Sequence, residues 1–223
     1  MKTIIFAGGE YTHPVFYEKI SQKCDFKIAA DSGAEFMRKI KIFPDLLIGD
    51  MDSITEKTLI FYEKQGVKVK RFPSHKDEID TELALNEAIE NGSDLILIAG
   101  AFGNRLDQTI AVFRLMQRAK NIVLFNEKLY AIWIEKKITL SSAKGELWSV
   151  IPLRKDVNNV SLSGFEYSIK DRKMEYLKPY GVSNEALGEK VTIDPGNGDL
   201  LIFRYHDGKI DWVEELFEIF KAR

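Results

Sequence analysis

At 223 residues the chain has room for one large domain or two small ones, and with 45% hydrophobic and 30% charged residues it has the composition of an ordinary globular protein. A formal net charge of -2, from 32 Lys and Arg against 34 Asp and Glu, argues against a general binder of nucleic acid or membrane surfaces. The single cysteine, Cys24, excludes an intramolecular disulfide, and no apolar run approaches membrane-spanning length.

In chain order, residues 3–7 form an apolar, β-rich run halted by Gly8-Gly9, which predicts a first buried strand. The run is too short for the hydrophobic region of a signal peptide, so the expected compartment is the cytoplasm. Pro14, at a favoured first-turn position, opens a helix over 14–23. A strand over 26–30 ends in Asp31-Ser32-Gly33, and a helix over 34–41 places Phe36, Met37 and Ile40 on one side. A buried strand at 46–48 follows, then a helix over 55–65, a strand over 67–72 and a polar loop at 73–78. The helix over 81–91 stops at Gly92, and a buried strand at 95–99 runs into Gly100-Ala101-Phe102-Gly103-Asn104-Arg105. A helix to about residue 119 and a strand at 122–125 close the series.

Strands alternating with helices from residue 3 to 126 argue for a parallel sheet with helices on its faces. Beyond Asn126 the pattern changes to short strands at 129–135, 137–140, 147–153, 157–162, 189–193 and 199–205, the spacing of an antiparallel sandwich. Residues 211–221 read as a terminal amphipathic helix with Trp212, Leu216, Phe217 and Phe220 as its apolar members. The predicted fold is an N-terminal parallel-sheet α/β domain over 1–126, then a C-terminal antiparallel β-sandwich domain with a terminal helix over 127–223.

The stretch with the clearest chemistry is Pro44-Asp45-Leu46-Leu47-Ile48-Gly49-Asp50-Met51-Asp52-Ser53. If the backbone stays extended past Gly49, Asp50 and Asp52 share a face at the C-terminal end of a strand. Two carboxylates there repel each other unless a cation lies between them. Mg²⁺ suits the place, since it takes hard oxygen ligands and bridges carboxylates to phosphates. The alternative is a polar turn in which Ser53, heading Ser53-Ile54-Thr55-Glu56, caps the next helix.

Asp31, Asp77 with Asp80, and Asp107 recur near other strand ends, and a parallel sheet brings its strand C-termini to one edge. Singly, several have a structural use: Asp31 in a turn with Gly33, Asp80 as an N-cap, Asp107 in a first helical turn. Together on one edge they point to a cation and phosphate site. Gly103-Asn104-Arg105 ahead of a helix adds backbone N–H groups and a guanidinium, although neither a Walker loop nor a dinucleotide fingerprint is present. His13, His75 and His206 show no zinc spacing, and no G-x-S-x-G elbow occurs. Trp133, Trp148 and Trp212 lie in apolar patterns and read as core.

As a set, these residues resemble the thiamine pyrophosphokinase (thiamine diphosphokinase) family. Ala30-Asp31-Ser32-Gly33-Ala34 is similar to the family's A-D-G-G-A, and the stretch from Pro44 to Ser53 to P-D-x-x-x-G-D-F-D-S. Lys76-Asp77-Glu78-Ile79-Asp80-Thr81-Glu82 is similar to K-D-x-T-D-x-x, and residues 100–108 to G-x-x-G-G-R-x-D-[HQ]. Gly181-Val182-Ser183-Asn184-Glu185 looks like G-[IT]-S-N-E. The resemblance implies a catalytic α/β domain, a thiamine-binding sandwich, and a homodimer whose active sites are completed across the interface. It also implies transfer of the pyrophosphoryl group of ATP to the hydroxyl of thiamine, with Mg²⁺, giving thiamine pyrophosphate and AMP.

By position, the resemblance makes Asp50, Asp52 and Asp80 the metal ligands, and Asp31, Arg105 and Asp107 the catalytic group around the triphosphate and the attacking hydroxyl. Ser32, Gly33, Asp77, Gly103, Asn104 and Arg105 become ATP contacts, and Ser183 and Asn184 thiamine contacts. Either Asp31 or Asp107 is expected to accept the hydroxyl proton. Ser32 replaces a usual glycine, which requires a negative φ, and Asn104 replaces another, where a left-handed conformation is tolerated. Ile79 stands where a threonine is usual and removes a hydroxyl beside Asp80. A pyrophosphokinase for another alcohol, such as a hydroxymethyl pterin, would share the α/β half without a use for Ser183-Asn184-Glu185. A non-catalytic nucleotide or thiamine sensor would have lost the carboxylates.

Overall fold

In the computed structural model, which describes residues 1–222, the apolar runs of the first half become six strands. They are β1 (Lys2–Phe6), β2 (Phe26–Ala30), β3 (Leu46–Gly49), β4 (Lys68–Arg71), β5 (Leu95–Ala99) and β6 (Ile122–Phe125). Their order is β6-β5-β1-β2-β3-β4, and each neighbouring pair is parallel. Every residue of β3, β5 and β6 is buried, the mark of strands covered on both faces. β4 is the exception: its Lys68-Val69-Lys70-Arg71 leaves both ends exposed, and charges on an edge strand discourage pairing with another chain.

The helices between these strands are α1 (Pro14–Ser21), α2 (Gly33–Lys39), α3 (Glu56–Lys64), α4 (Asp80–Glu90) and α5 (Leu106–Leu115), the last continuing as a 3₁₀ turn at Met116–Arg118. Ile79, not Asp80, is the cap of α4, so Asp80 is a first-turn residue and does not serve as the N-cap. Among the described residues no helix is long and apolar enough to cross a membrane.

The chain divides into two units: Met1–Glu127 with the residues from Leu216 onward, and Lys128–Glu215. The second unit holds β7 (Leu129–Ile134), β8 (Ile138–Ser141), β9 (Leu147–Ile151), β10 (Val157–Ser163), β11 (Ile169–Met174), β12 (Asn184–Glu185), β13 (Lys190–Asp194) and β14 (Leu200–Tyr205). They pair antiparallel in the orders β12-β9-β14-β7 and β11-β10-β13-β8. β8 and β13 alternate between buried and less buried residues, the period of a strand with one face on a core. α6 (Trp212–Lys221) ends the chain. β11 and β12 have no counterpart among the predicted strands.

Candidate active site

The strand order reverses at β1. From there the chain proceeds one way through β2, β3 and β4, then returns to the other side of β1 for β5 and β6. In open α/β sheets, the crevice beyond the strand C-termini at such a reversal is where ligands bind. Here it is a cavity of about 580 Å³, a size suited to a small-molecule site. Gly8 and Gly9 after β1 line it, with Asp31 and Ser32 after β2 and Asp50 and Asp52 after β3. Asp80 at the start of α4 and residues 100–105 after β5 also line it.

Carboxylate oxygens of Asp31, Asp50 and Asp52 lie within 4.8 Å of one another. They meet by a different route from the extended strand expected. Met51 adopts φ 68°, so the chain turns after Asp50, and the Asp52 N–H donates to Asp50 Oδ1 at 3.1 Å. Ser53 does not cap α3. Its hydroxyl donates to Asp52 Oδ1 at 2.8 Å, while Thr55 holds the cap position and accepts from the Thr58 N–H at 3.3 Å. Thr55 is fixed by Glu35 of α2, which accepts from both its N–H and its hydroxyl at 2.7 Å. The turn carrying Asp52 is thereby tied to the helix that follows Asp31.

Asp31 is only 6% exposed, adopts φ 44°, and its Oδ1 is buried without a hydrogen-bond partner. Burial is the chief cause raising its carboxyl above the usual aspartate range; the Ser32 N–H opposes this, and the charges of Asp80 and Asp50 add to it. Asp50 is shifted down, first by the Asp52 N–H, against burial, with Lys76 adding to the effect. A buried, unsatisfied carboxylate oxygen beside like charges is what a hard divalent cation would relieve, so the residues present fit Mg²⁺.

Asp80 joins the cluster indirectly. Its Oδ1 lies 3.0 Å from Lys76 Nζ, and the same ammonium lies 3.5 Å from Asp50 Oδ2. Burial pulls the Lys76 pKa down, but Asp80 and then Asp50 more than offset it and keep the group charged. Gly49 keeps a gap open here: with φ 144°, a Cβ would stand 3.1 Å from Asp31 Cβ and 3.2 Å from Asp80 Oδ1.

Gly103, Asn104 and Arg105 line the same cavity. The Arg105 side chain is 71% exposed and paired with Asp107 at 2.5 Å. That hydrogen bond is the main cause holding Asp107 below its usual range, and Asp107 is not part of the cavity wall. Asn104 is not among the residues with positive φ, so its replacement of glycine needs no left-handed backbone. Ser32 has φ -59°, the sign its own replacement requires.

Asp77 is exposed in the loop before α4 and, like Gly33, lies outside the cavity wall. Gly33 has a packing use: a Cβ there would stand 1.9 Å from the Phe6 carbonyl oxygen. Gly33→Ala is expected to cost about 1–3 kcal/mol in urea unfolding, because α2 must move off β1. An unchanged unfolding midpoint would show that the junction has slack.

Ser183 and Asn184 belong to the second unit. Ser183 is exposed with φ 58°, and its N–H donates to Ser149 Oγ at 3.2 Å. Asn184 is buried and holds the backbone of Tyr167 at both ends, accepting from its N–H and donating to its carbonyl, each at 3.0 Å. Sequence patterns passed over Gly8, Gly9, Glu10, Gln108 and Thr109, all of which line the cavity. Gly8-Gly9 had a visible signal, since it follows a buried strand just as Asp31 does.

The family model described as the thiamin pyrophosphokinase catalytic domain matches residues 17–125, and that for the thiamin pyrophosphokinase vitamin B1 binding domain matches 135–198. Thiamine pyrophosphokinase of Bacillus subtilis (strain 168) is 27% identical over 217 residues, covering 93% of this chain and 100% of that protein. Thiamine pyrophosphokinase 2 of Oryza sativa subsp. japonica is 25% identical over 194 residues, covering 79% and 70%. The crystal structure of the Bacillus subtilis thiamine pyrophosphokinase has the same fold, with a TM-score of 0.82 at 24% identity over 93% of this chain and 100% of that one. With a catalytic-domain match on the first half and a vitamin B1 binding match on the second, the chain belongs to the thiamine pyrophosphokinase family.

Proposed function

We infer that the chain is a thiamine diphosphokinase, which moves the terminal pyrophosphoryl group of ATP to the hydroxyl of thiamine and releases AMP. The observation that carries this reading is the buried, unsatisfied Asp31 carboxylate grouped with Asp50 and Asp52 at the strand C-termini. The vitamin B1 binding match over 135–198 disfavours a pterin substrate, and the intact carboxylates disfavour a sensor.

Phosphoryl transfer needs alignment and cancellation of negative charge rather than covalent chemistry by the protein. Asp31, Asp50 and Asp52, with Asp80 beside them, would hold Mg²⁺, which when bound neutralises triphosphate oxygens. Gly8, Gly9 and Gly103 line the cavity, where their backbone N–H groups would be the donors offered to anionic oxygens. Arg105 supplies a guanidinium that can exchange its bond to Asp107 for one to phosphate. As acceptor of the hydroxyl proton, Asp31 is better placed than Asp107. It lines the cavity and has a second carboxylate oxygen beyond the one a cation would take, whereas Asp107 lies outside the wall and is bound to Arg105.

In the second unit, Ser183 is the exposed candidate for thiamine, and Asn184 acts by ordering the Tyr167 backbone. A homodimer with shared active sites and a cytoplasmic setting complete the reading; the first rests on the family resemblance and the second on the single, buried Cys24. Incubation with ATP, Mg²⁺ and thiamine is expected to yield AMP and thiamine pyrophosphate in equal amounts, with no AMP when thiamine is left out. Formation of ADP instead would identify an ordinary kinase and overturn the assignment.

A further inference from the structure

We propose that Lys76 is the internal counter-ion of the carboxylate cluster: its ammonium holds Asp50 and Asp80 together when no divalent cation is bound, cedes them when one binds, and passes to the phosphate oxygens of the nucleotide. This deepens the reading of the cavity as a metal and triphosphate site and rests on it. The geometry is direct. Lys76 Nζ spans Asp80 Oδ1 at 3.0 Å and Asp50 Oδ2 at 3.5 Å, and the Lys76 and Asp50 side chains are only 11% and 10% exposed. Charges so shielded from water are weakly screened, so the ammonium matters more here than at a surface.

The contest is over one carboxylate. Asp50 Oδ1 accepts from the Asp52 N–H and Oδ2 lies against Lys76, so a cation bound to this carboxylate draws on the charge that the ammonium neutralises. A divalent ion entering among Asp31, Asp50 and Asp52 therefore competes with the ammonium for Asp50. Lysine suits such an exchange: it is a point charge on a flexible stem, and it binds phosphate as readily as carboxylate. Asp50 and Asp80 both line the cavity, so an ammonium released from them starts at its wall.

The test uses Lys76→Met and Lys76→Arg with Mn²⁺ as the probe. Without nucleotide, Lys76→Met is expected to bind Mn²⁺ about tenfold more tightly than the wild type, and Lys76→Arg to remain close to it. With Mn²⁺ and α,β-methylene-ATP, which cannot transfer its pyrophosphoryl group, Lys76→Met is expected to bind about tenfold more weakly. Unchanged or weaker Mn²⁺ binding by Lys76→Met would overturn the competition, and unchanged nucleotide binding would overturn the hand-over. Thermal melts give a second readout: metal-free Lys76→Met should melt below the wild type and gain more from Mn²⁺, and equal gains would also overturn the proposal. Asp52→Asn separates the two levels. If it binds Mn²⁺ as well as the wild type, the metal site itself is wrong and the role of Lys76 falls with it; if it does not, a failure of the Lys76 variants sinks only the counter-ion.

Discussion

Asp52→Asn is expected to lower AMP formation by at least about 100-fold while leaving the melting temperature of the metal-free protein within about one degree of wild type. Asp52 is exposed and contributes nothing to the core. Its backbone N–H, which bonds Asp50 Oδ1 and shapes the turn at Met51, is retained in the variant. The amide oxygen of asparagine can still accept from the Ser53 hydroxyl. What disappears is one negative charge in a group of three carboxylates whose oxygens lie within 4.8 Å. Loss of charge without loss of structure is the signature of a residue that acts on a cation and not on the fold. Turnover close to wild type would remove Asp52 from the chemistry, and a large drop in melting temperature would reassign it to the turn.

The parallel half of the fold was legible because strands covered on both faces leave unbroken apolar runs; Leu95–Ala99 and Ile122–Phe125 stand where the pattern puts them. β11 was not legible. Its Ile169-Lys170-Asp171-Arg172-Lys173-Met174 is charged throughout its middle, includes Asp171 at φ 49°, and becomes a strand only by pairing with β10 across register shifts. Nothing local announces such a strand, because its cause lies on another segment.

The site divides the same way. Asp31, Asp50 and Asp52 were visible as acids at the ends of buried strands, but the turn that joins the last two depends on a left-handed Met51, a residue with no propensity for it. Ser53 and Thr55 both have the chemistry of a helix cap. Thr55 takes the place because Glu35, twenty residues earlier, claims its N–H and hydroxyl. The motif around Lys76 marked Asp80 but not the ammonium beside it, since an ion pair shared with Asp50 is a property of the folded loop.

Asp31→Asn is expected to move stability and activity in opposite directions. The metal-free variant should be more stable than the wild type by about 0.5–2 kcal/mol at neutral pH and should lose at least about 100-fold in AMP formation. Asparagine accepts the φ of 44° that this position demands, so the backbone is not strained, and a buried charge with an unpartnered Oδ1 is removed from beside Asp80 and Asp50. The pH dependence gives the sign. Because folding raises the Asp31 pKa, the folded wild type binds that proton more tightly than the unfolded chain, and the penalty appears as pH rises through the raised value. The advantage of Asp31→Asn should therefore be greatest at neutral pH and disappear below the usual aspartate range, where the wild-type carboxyl is also neutral. Mg²⁺ should reverse the ranking, since the charge then has a partner and only the wild type gains its full binding energy. A variant less stable than wild type at neutral pH would mean that the Ser32 N–H outweighs burial, and that Asp31 is held in place by the fold and not against it.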